Sequence, residues 1–220
     1  MATSLLADLI NFILHIDQSL SALIQTFGLW TYAILFAVIF AETGLVVAPF
    51  FPGDSLLFVA GTFAAQSSLD IMWLFIALSA AAIAGDTANY WLGHYLGPKV
   101  FTKQKSRFFK KEYLQRAREF YKKHGGKTII IARFVPIIRT FAPFVAGIGE
   151  MSYRKFLTYN VVGGIAWVAI FLFAGYYFGT LQVVRDNLSV AIILIIVVSL
   201  IPVILEVVRE KRKIKSKKKK

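Results

Sequence analysis

The 220-residue chain contains no cysteine, which excludes disulfides, thiolate nucleophiles and cysteine-ligated metals. It is also poor in charge: 17% of its residues are charged and 57% are hydrophobic, where an ordinary soluble domain carries about a quarter charged residues. A soluble single domain does not fit that balance. Basic residues are missing from the first 98 positions, which hold six acids, Asp8, Asp17, Glu42, Asp54, Asp70 and Asp86. Of the 25 Lys and Arg, eleven fall in residues 99–127 and nine in residues 206–220. A net charge of +13 spread over a polar surface would suit nucleic acid. Confined to two blocks between apolar stretches, it is instead the pattern of a polytopic membrane protein with its basic loops in the cytoplasm, and no nucleic-acid partner is expected. The N-terminus lacks the basic region of a secretory signal, and Asp8, Asn11 and His15 interrupt its first apolar stretch. Residues 1–26 are read as a retained amphipathic segment.

A crossing helix needs about 20 mostly apolar residues. Residues 18–41, 71–98, 156–184 and 187–205 meet that length with at most one internal charge. Two further apolar segments are short or broken. Residues 42–66 contain Pro49, Pro52, Gly53 and Asp54, and residues 128–149 contain Arg133, Pro136, Arg139 and Pro143. Broken backbone at membrane depth survives only inside protein or beside a polar cavity, so both segments read as re-entrant hairpins around a cavity. With residues 99–127, Arg154, Lys155 and the tail on the cytoplasmic side, the second hairpin opens to the cytoplasm and the first to the outside. Such a pair forms an inverted repeat with its site near the midplane. Phe58-Val59-Ala60-Gly61 in the first hairpin matches Phe144-Val145-Ala146-Gly147 in the second.

The expected fold is thus an all-α polytopic membrane protein, an inverted repeat with two re-entrant hairpins and about four spanning helices. Its membrane domain covers residues 27–181, followed by a C-terminal spanning helix at 182–208 and a basic cytoplasmic tail at 209–220. Between the hairpins, Phe109, Tyr113, Ala117 and Phe120 fall on one helical face and Lys111, Gln115, Arg118 and Lys122 on the other. Residues 99–127 therefore read as an amphipathic linker lying on the cytoplasmic surface.

Inside the hairpins two acids, Glu42 and Asp54, face two bases, Arg133 and Arg139. A charge near the bilayer centre costs roughly 2.5–3.5 kcal/mol, so four unpaired ones would cost on the order of 10–14 kcal/mol. They must pair, bind a charged ligand or sit in water. Pro136, between the arginines, breaks the helix so that both guanidiniums can be aimed into one cavity, an arrangement suited to phosphate. Snorkelling to the interface is the structural alternative. Asp54 either caps the second limb of its hairpin or joins the site. Glu42 ends an apolar helix with no evident capping role there and is a candidate proton carrier. Asp86 and Tyr90 lie in a spanning helix among small residues, where Asp86 either makes a structural hydrogen bond or serves the site. His15, His94 and His124 are scattered, so no metal or cofactor is expected.

These motifs, Glu42 with Pro49-Phe-Phe-Pro52-Gly53-Asp54, Gly85-Asp86 with Tyr90 and Gly93, Arg133-Phe-Val-Pro136-Ile-Ile-Arg139, then Gly147, resemble the DedA family. That family is the bacterial branch of the VTT-domain, or SNARE-associated Golgi protein, group, and the likeness covers roughly residues 29–179. It implies a bacterial inner-membrane protein that moves lipids between leaflets, with undecaprenyl phosphate or phosphatidylethanolamine as cargo and dependence on the proton motive force. It also implies essential acids at Glu42 and Asp54 and essential arginines at Arg133 and Arg139. Membrane lipids and protons are then the partners, with a homo-oligomer left open. The alternative is a proton-coupled transporter of a small ion or osmolyte, with the arginines as counter-ions. Enzymatic activity is not expected, because no serine lies in a nucleophile motif and no histidine adjoins the arginine pair in sequence.

Overall fold

The computed structural model describes residues 16–45, 53–66, 68–101, 119, 121, 125–187, 190, 191, 193 and 194. Every element among the described residues is a helix. In chain order they are α1 (Ile16–Phe27), α2 (Trp30–Gly44), α3 (Gly53–Ala65), α4 (Ile71–Phe101), α5 (Lys127–Ala132), α6 (Pro136–Ile148), α7 (Tyr153–Phe178) and α8 (Gln182–Asp186).

Two of them are long and apolar enough to cross a membrane, α4 over Ile71–Leu96 and α7 over Tyr153–Phe178. Asp70 starts α4 by accepting the backbone N–H groups of Met72 and Trp73 at 2.8 and 2.9 Å. At 1.5 Å per residue the 13-residue α3 and α6 each extend about 20 Å, well short of the roughly 30 Å hydrocarbon layer. Pro136 opens α6, where a missing N–H costs nothing, whereas Pro143 sits inside α6 without ending it.

The uncharged run 18–41 is not one crossing. Gly28 adopts φ +52°, a left-handed conformation open to glycine, and divides the run into α1 and α2. Residues 1–15 of the N-terminal segment, most of the linker at 102–124, and most of the fourth expected crossing lie outside the described residues. Within the linker, Tyr121 is buried and its hydroxyl donates to Ala142 O at 2.8 Å; burial pushes its pKa up.

The long helices run antiparallel. Phe75 meets Phe173 at one end, ring centroids 5.4 Å apart, and Tyr90 meets Phe156 at the other, 4.5 Å apart. The short helices pack on them reciprocally, α3 on α7 and α6 on α4. A Cβ on Gly61 would strike Leu172 O, and one on Gly175 would strike Phe58 O. The second half repeats this: a Cβ on Gly147 would strike Tyr90 O, and one on Gly93 would strike Phe144 O. The repeated tetrapeptide therefore marks two copies of one glycine-mediated helix contact. From these contacts α3 runs toward the C-terminal end of α7, while α6 runs toward the C-terminal end of α4, so the two short helices leave in opposite directions.

Two apolar clusters fill the interior. One includes Leu57, Leu78, Ala82, Trp167 and Leu172, and the other includes Tyr90, Ile129, Ala146 and Phe156. Between them along α4 and α7 lies a layer of buried polar groups.

Candidate functional site

That layer is where the chain breaks its helices. The end of α2 supplies Glu42 and Thr43, the start of α3 supplies Gly53 and Asp54, the break between α5 and α6 supplies Arg133, and the first turns of α6 supply Arg139 and Thr140. α4 contributes Asp86 and Asn89, and α7 contributes Asn160 and Trp167. The 26-residue crossing windows of α4 and α7 place Asp86 and Trp167 within about 4 Å of their helix midpoints along the axis. Both breaks thus meet at mid-height.

Arg139 is shared by two acids. It pairs with Glu42 Oε1 through Nη2 and donates to Asp54 Oδ1 through Nη1 at 2.7 Å. Its guanidinium lies over the Trp167 ring, 5.0 Å from the centroid, and Trp167 Nε1 donates to the same Asp54 oxygen at 2.9 Å. Glu42 is only 2% exposed. It does hold a capping role, but toward the next helix: its Oε1 accepts the N–H of Gly53 at 3.0 Å, at the positive end of α3. The second oxygen of Glu42 makes no hydrogen bond among the described residues, and it occupies the space a Cβ on Gly53 would need. Asp54 lies in the first turn of α3 and reaches across to α6 and α7.

Arg133 is not snorkelling. It is 4% exposed and pairs through Nη2 with Asp86 of α4, while the same nitrogen donates to Asn160 Oδ1 of α7. Asn160 in turn donates to Ile83 O at 3.0 Å and Thr87 Oγ1 at 3.3 Å. Asn89 Nδ2 donates to Thr43 O at 3.1 Å and Thr140 O at 2.7 Å, tying the end of α2 and the start of α6 to α4. A cavity of about 10 Å³, bordered by Thr43, Asp86, Arg133, Arg139, Thr140 and Trp167, lies between the two arginines; it is the size of one water molecule.

The structure thus brings together Glu42, Asp54, Asp86, Arg133 and Arg139. Gly53 and Gly147 act through close packing, and the Tyr90 hydroxyl donates to Met151 O. Pro143 is buried within α6 and Pro136 begins it; Pro49 and Pro52 lie outside the described residues. Asn89, Asn160 and Trp167 join the site although sequence patterning assigns them no role there. Asn160 had a detectable signal, an amide inside an uncharged crossing, whereas Trp167 is one aromatic among many.

Residues 51–177 match the VTT domain family. Protein DedA of Escherichia coli K12 is 54% identical over 206 residues, 93% of this chain and 94% of the relative. The chain belongs to the DedA family. An uncharacterized membrane protein of Mycobacterium leprae is 44% identical over 168 residues, 76% of this chain and 75% of that one. The inner membrane protein YqjA of E. coli K12 is 32% identical over 173 residues, 77% of this chain and 79% of its own length. No solved structure matches. This DedA-family chain is therefore a membrane protein, and its motif charges are the ones that converge between α4 and α7.

Proposed function

We propose that the chain moves a phosphate-bearing lipid, undecaprenyl phosphate or a phospholipid such as phosphatidylethanolamine, between the leaflets of a bacterial inner membrane without altering it chemically. Arg139 binds the phosphate, with Arg133 beside it, and Glu42 and Asp54 carry protons. One observation carries this reading: a single buried guanidinium, Arg139, is held by two carboxyl groups of the opposite hairpin. The buried layer sets three carboxyl groups, Glu42, Asp54 and Asp86, against two guanidiniums. Full ionisation would leave it one negative charge in excess, so charge balance favours a proton on a carboxyl group. Protonating Glu42 and Asp54 loosens their hold on Arg139 and frees its donor fork for an incoming phosphate. Deprotonation restores the ion pairs and expels the phosphate.

The same layer supports a membrane geometry. Each hairpin reaches mid-height and returns, one toward each end of the long helices, so a headgroup can approach from either face while its hydrocarbon stays outside the polar layer. Residues 99–127 and the tail at 209–220 lie in the cytoplasm. The ion-pairing of each arginine with a carboxylate also fits a second reading, a proton-coupled carrier of a small ion or osmolyte in which the arginines are counter-ions only.

Leaflet exchange in proteoliposomes separates the two. Labelled undecaprenyl phosphate or phosphatidylethanolamine is expected to exchange faster with wild-type protein, with a rate that responds to a pH gradient. Arg139→Ala is expected to slow exchange by about 100-fold or more, as loss of a buried charged contact does. Wild-type exchange rates in the inserted Arg139→Ala protein would refute phosphate binding by this residue.

A further inference from the structure

An apolar groove of about 340 Å³ runs along α7, walled by Phe58 of α3, by Ile170, Phe171, Ala174 and Phe178 of α7, and by Leu194 beyond α8. No polar surface lines it. Its position is set by helical register. Phe58 lies four residues after Asp54 on α3, and Phe171 lies four residues after Trp167 on α7, so each is on the same face as its polar predecessor and one turn further along. Asp54 and Trp167 are the two side chains bonded to each other and packed around Arg139. The groove therefore begins about 6 Å from the charged layer along both helices and leads away toward the C-terminal end of α7. There Ile170, Phe178 and Leu194 are 53%, 55% and 62% exposed, open to the surrounding hydrocarbon.

We infer that this groove holds one hydrocarbon chain of the lipid whose phosphate engages Arg139, an inference that rests on the function proposed above. A chain entering from the bilayer exchanges one hydrocarbon environment for another, so the hydrophobic effect contributes little and the gain is limited to packing. A bare hydrocarbon surface would collect any neighbouring lipid. A groove one turn from the two side chains that hold the Arg139 guanidinium selects a chain that is tethered to a phosphate, because the headgroup raises the effective concentration of its own tail. Occupancy must then depend on Arg139, which occupancy by bulk lipid does not.

The test uses full-length protein in phosphatidylcholine vesicles. The probes are a phosphatidic acid carrying a photoactivatable diazirine midway along one acyl chain and the matching diacylglycerol, which lacks the phosphate. Labelling at Ile170, Ala174 and Leu194 is expected to be at least about fivefold stronger with phosphatidic acid and to fall about fivefold in Arg139→Ala, a loss of about 1 kcal/mol. Ala174→Trp fills the groove and is expected to abolish labelling there and slow exchange. Leu194→Trp, from the opposite and more exposed wall, gives the same readout if Ala174→Trp does not fold. Equal labelling by both probes, unchanged in Arg139→Ala, would make the groove an ordinary lipid-facing surface and overturn the inference. Absence of labelling in the groove would overturn it as well. If Arg139→Ala abolishes lipid exchange yet leaves groove labelling intact, the phosphate site stands and the chain site alone falls. If Arg139→Ala leaves both unchanged, the phosphate reading falls and takes the chain site with it.

Discussion

Five charged residues at membrane depth organise the molecule, and the way they pair decides what their loss does. Removing Arg139 strands Glu42 and Asp54, both buried, next to each other; leaving buried charge uncompensated costs about 3–5 kcal/mol. Arg139→Ala is therefore expected to lower the thermal unfolding midpoint in detergent, and the triple variant Arg139→Ala, Glu42→Gln, Asp54→Asn is expected to recover most of that loss. Neither variant should restore lipid exchange. A triple variant as unstable as Arg139→Ala would show that the two acids do not depend on this ion pair. The candidate residues were legible because charge inside an apolar segment is expensive and so advertises itself. Their pairing was not. The sequence leaves Asp86 between a structural hydrogen bond and a role in the site; in the structure Asp86 takes Arg133 while Glu42 and Asp54 share Arg139. Trp167 completes the site with an uncharged side chain that only the packing of α3 on α7 brings to Asp54.

At the level of elements, the short helices are held by backbone-to-backbone approach rather than by large side chains. Gly61 and Gly147 are equivalent positions in the two halves, each against a carbonyl of a long helix. Alanine at either site forces a helix outward, so Gly61→Ala and Gly147→Ala are each expected to destabilise the protein by about 1–3 kcal/mol, and by similar amounts. Gly28→Ala meets open space and only the strain of φ +52°, a cost of about 1 kcal/mol. Unfolding midpoints of the three variants in one detergent check this, and a marked disparity between Gly61→Ala and Gly147→Ala would undo the equivalence of the two contacts. The repeated tetrapeptide was visible in the sequence, but its partners were not, because Leu172 and Tyr90 contribute carbonyl oxygens that every residue has. The division of residues 18–41 was likewise illegible: an uncharged run reads as one crossing, and the turn rests on a single glycine whose φ no composition reveals.

Across the whole molecule, the reciprocal packing makes a prediction about sides. α3 ends beside Gly179, at the C-terminal end of α7, and α6 ends beside Met151, where α7 begins. If α7 crosses the membrane, residues just after α3 and just after α6 must face opposite compartments. Gln66 and Glu150 occupy those turns and are both exposed. The chain has no cysteine, so single-cysteine variants at Gln66 and Glu150 can be read directly with a membrane-impermeant maleimide. With the basic blocks in the cytoplasm, the cysteine at position 66 is expected to react in intact cells and the one at position 150 only after the membrane is opened. Reaction of both from one side would rule out hairpins entering from opposite faces, and with it the access to one central site from either leaflet that lipid transfer between leaflets requires. The opposite assignment, with 150 reactive outside and 66 protected, would keep the repeat but reverse its orientation, placing the eleven basic residues of 99–127 on the outer side against the usual charge bias.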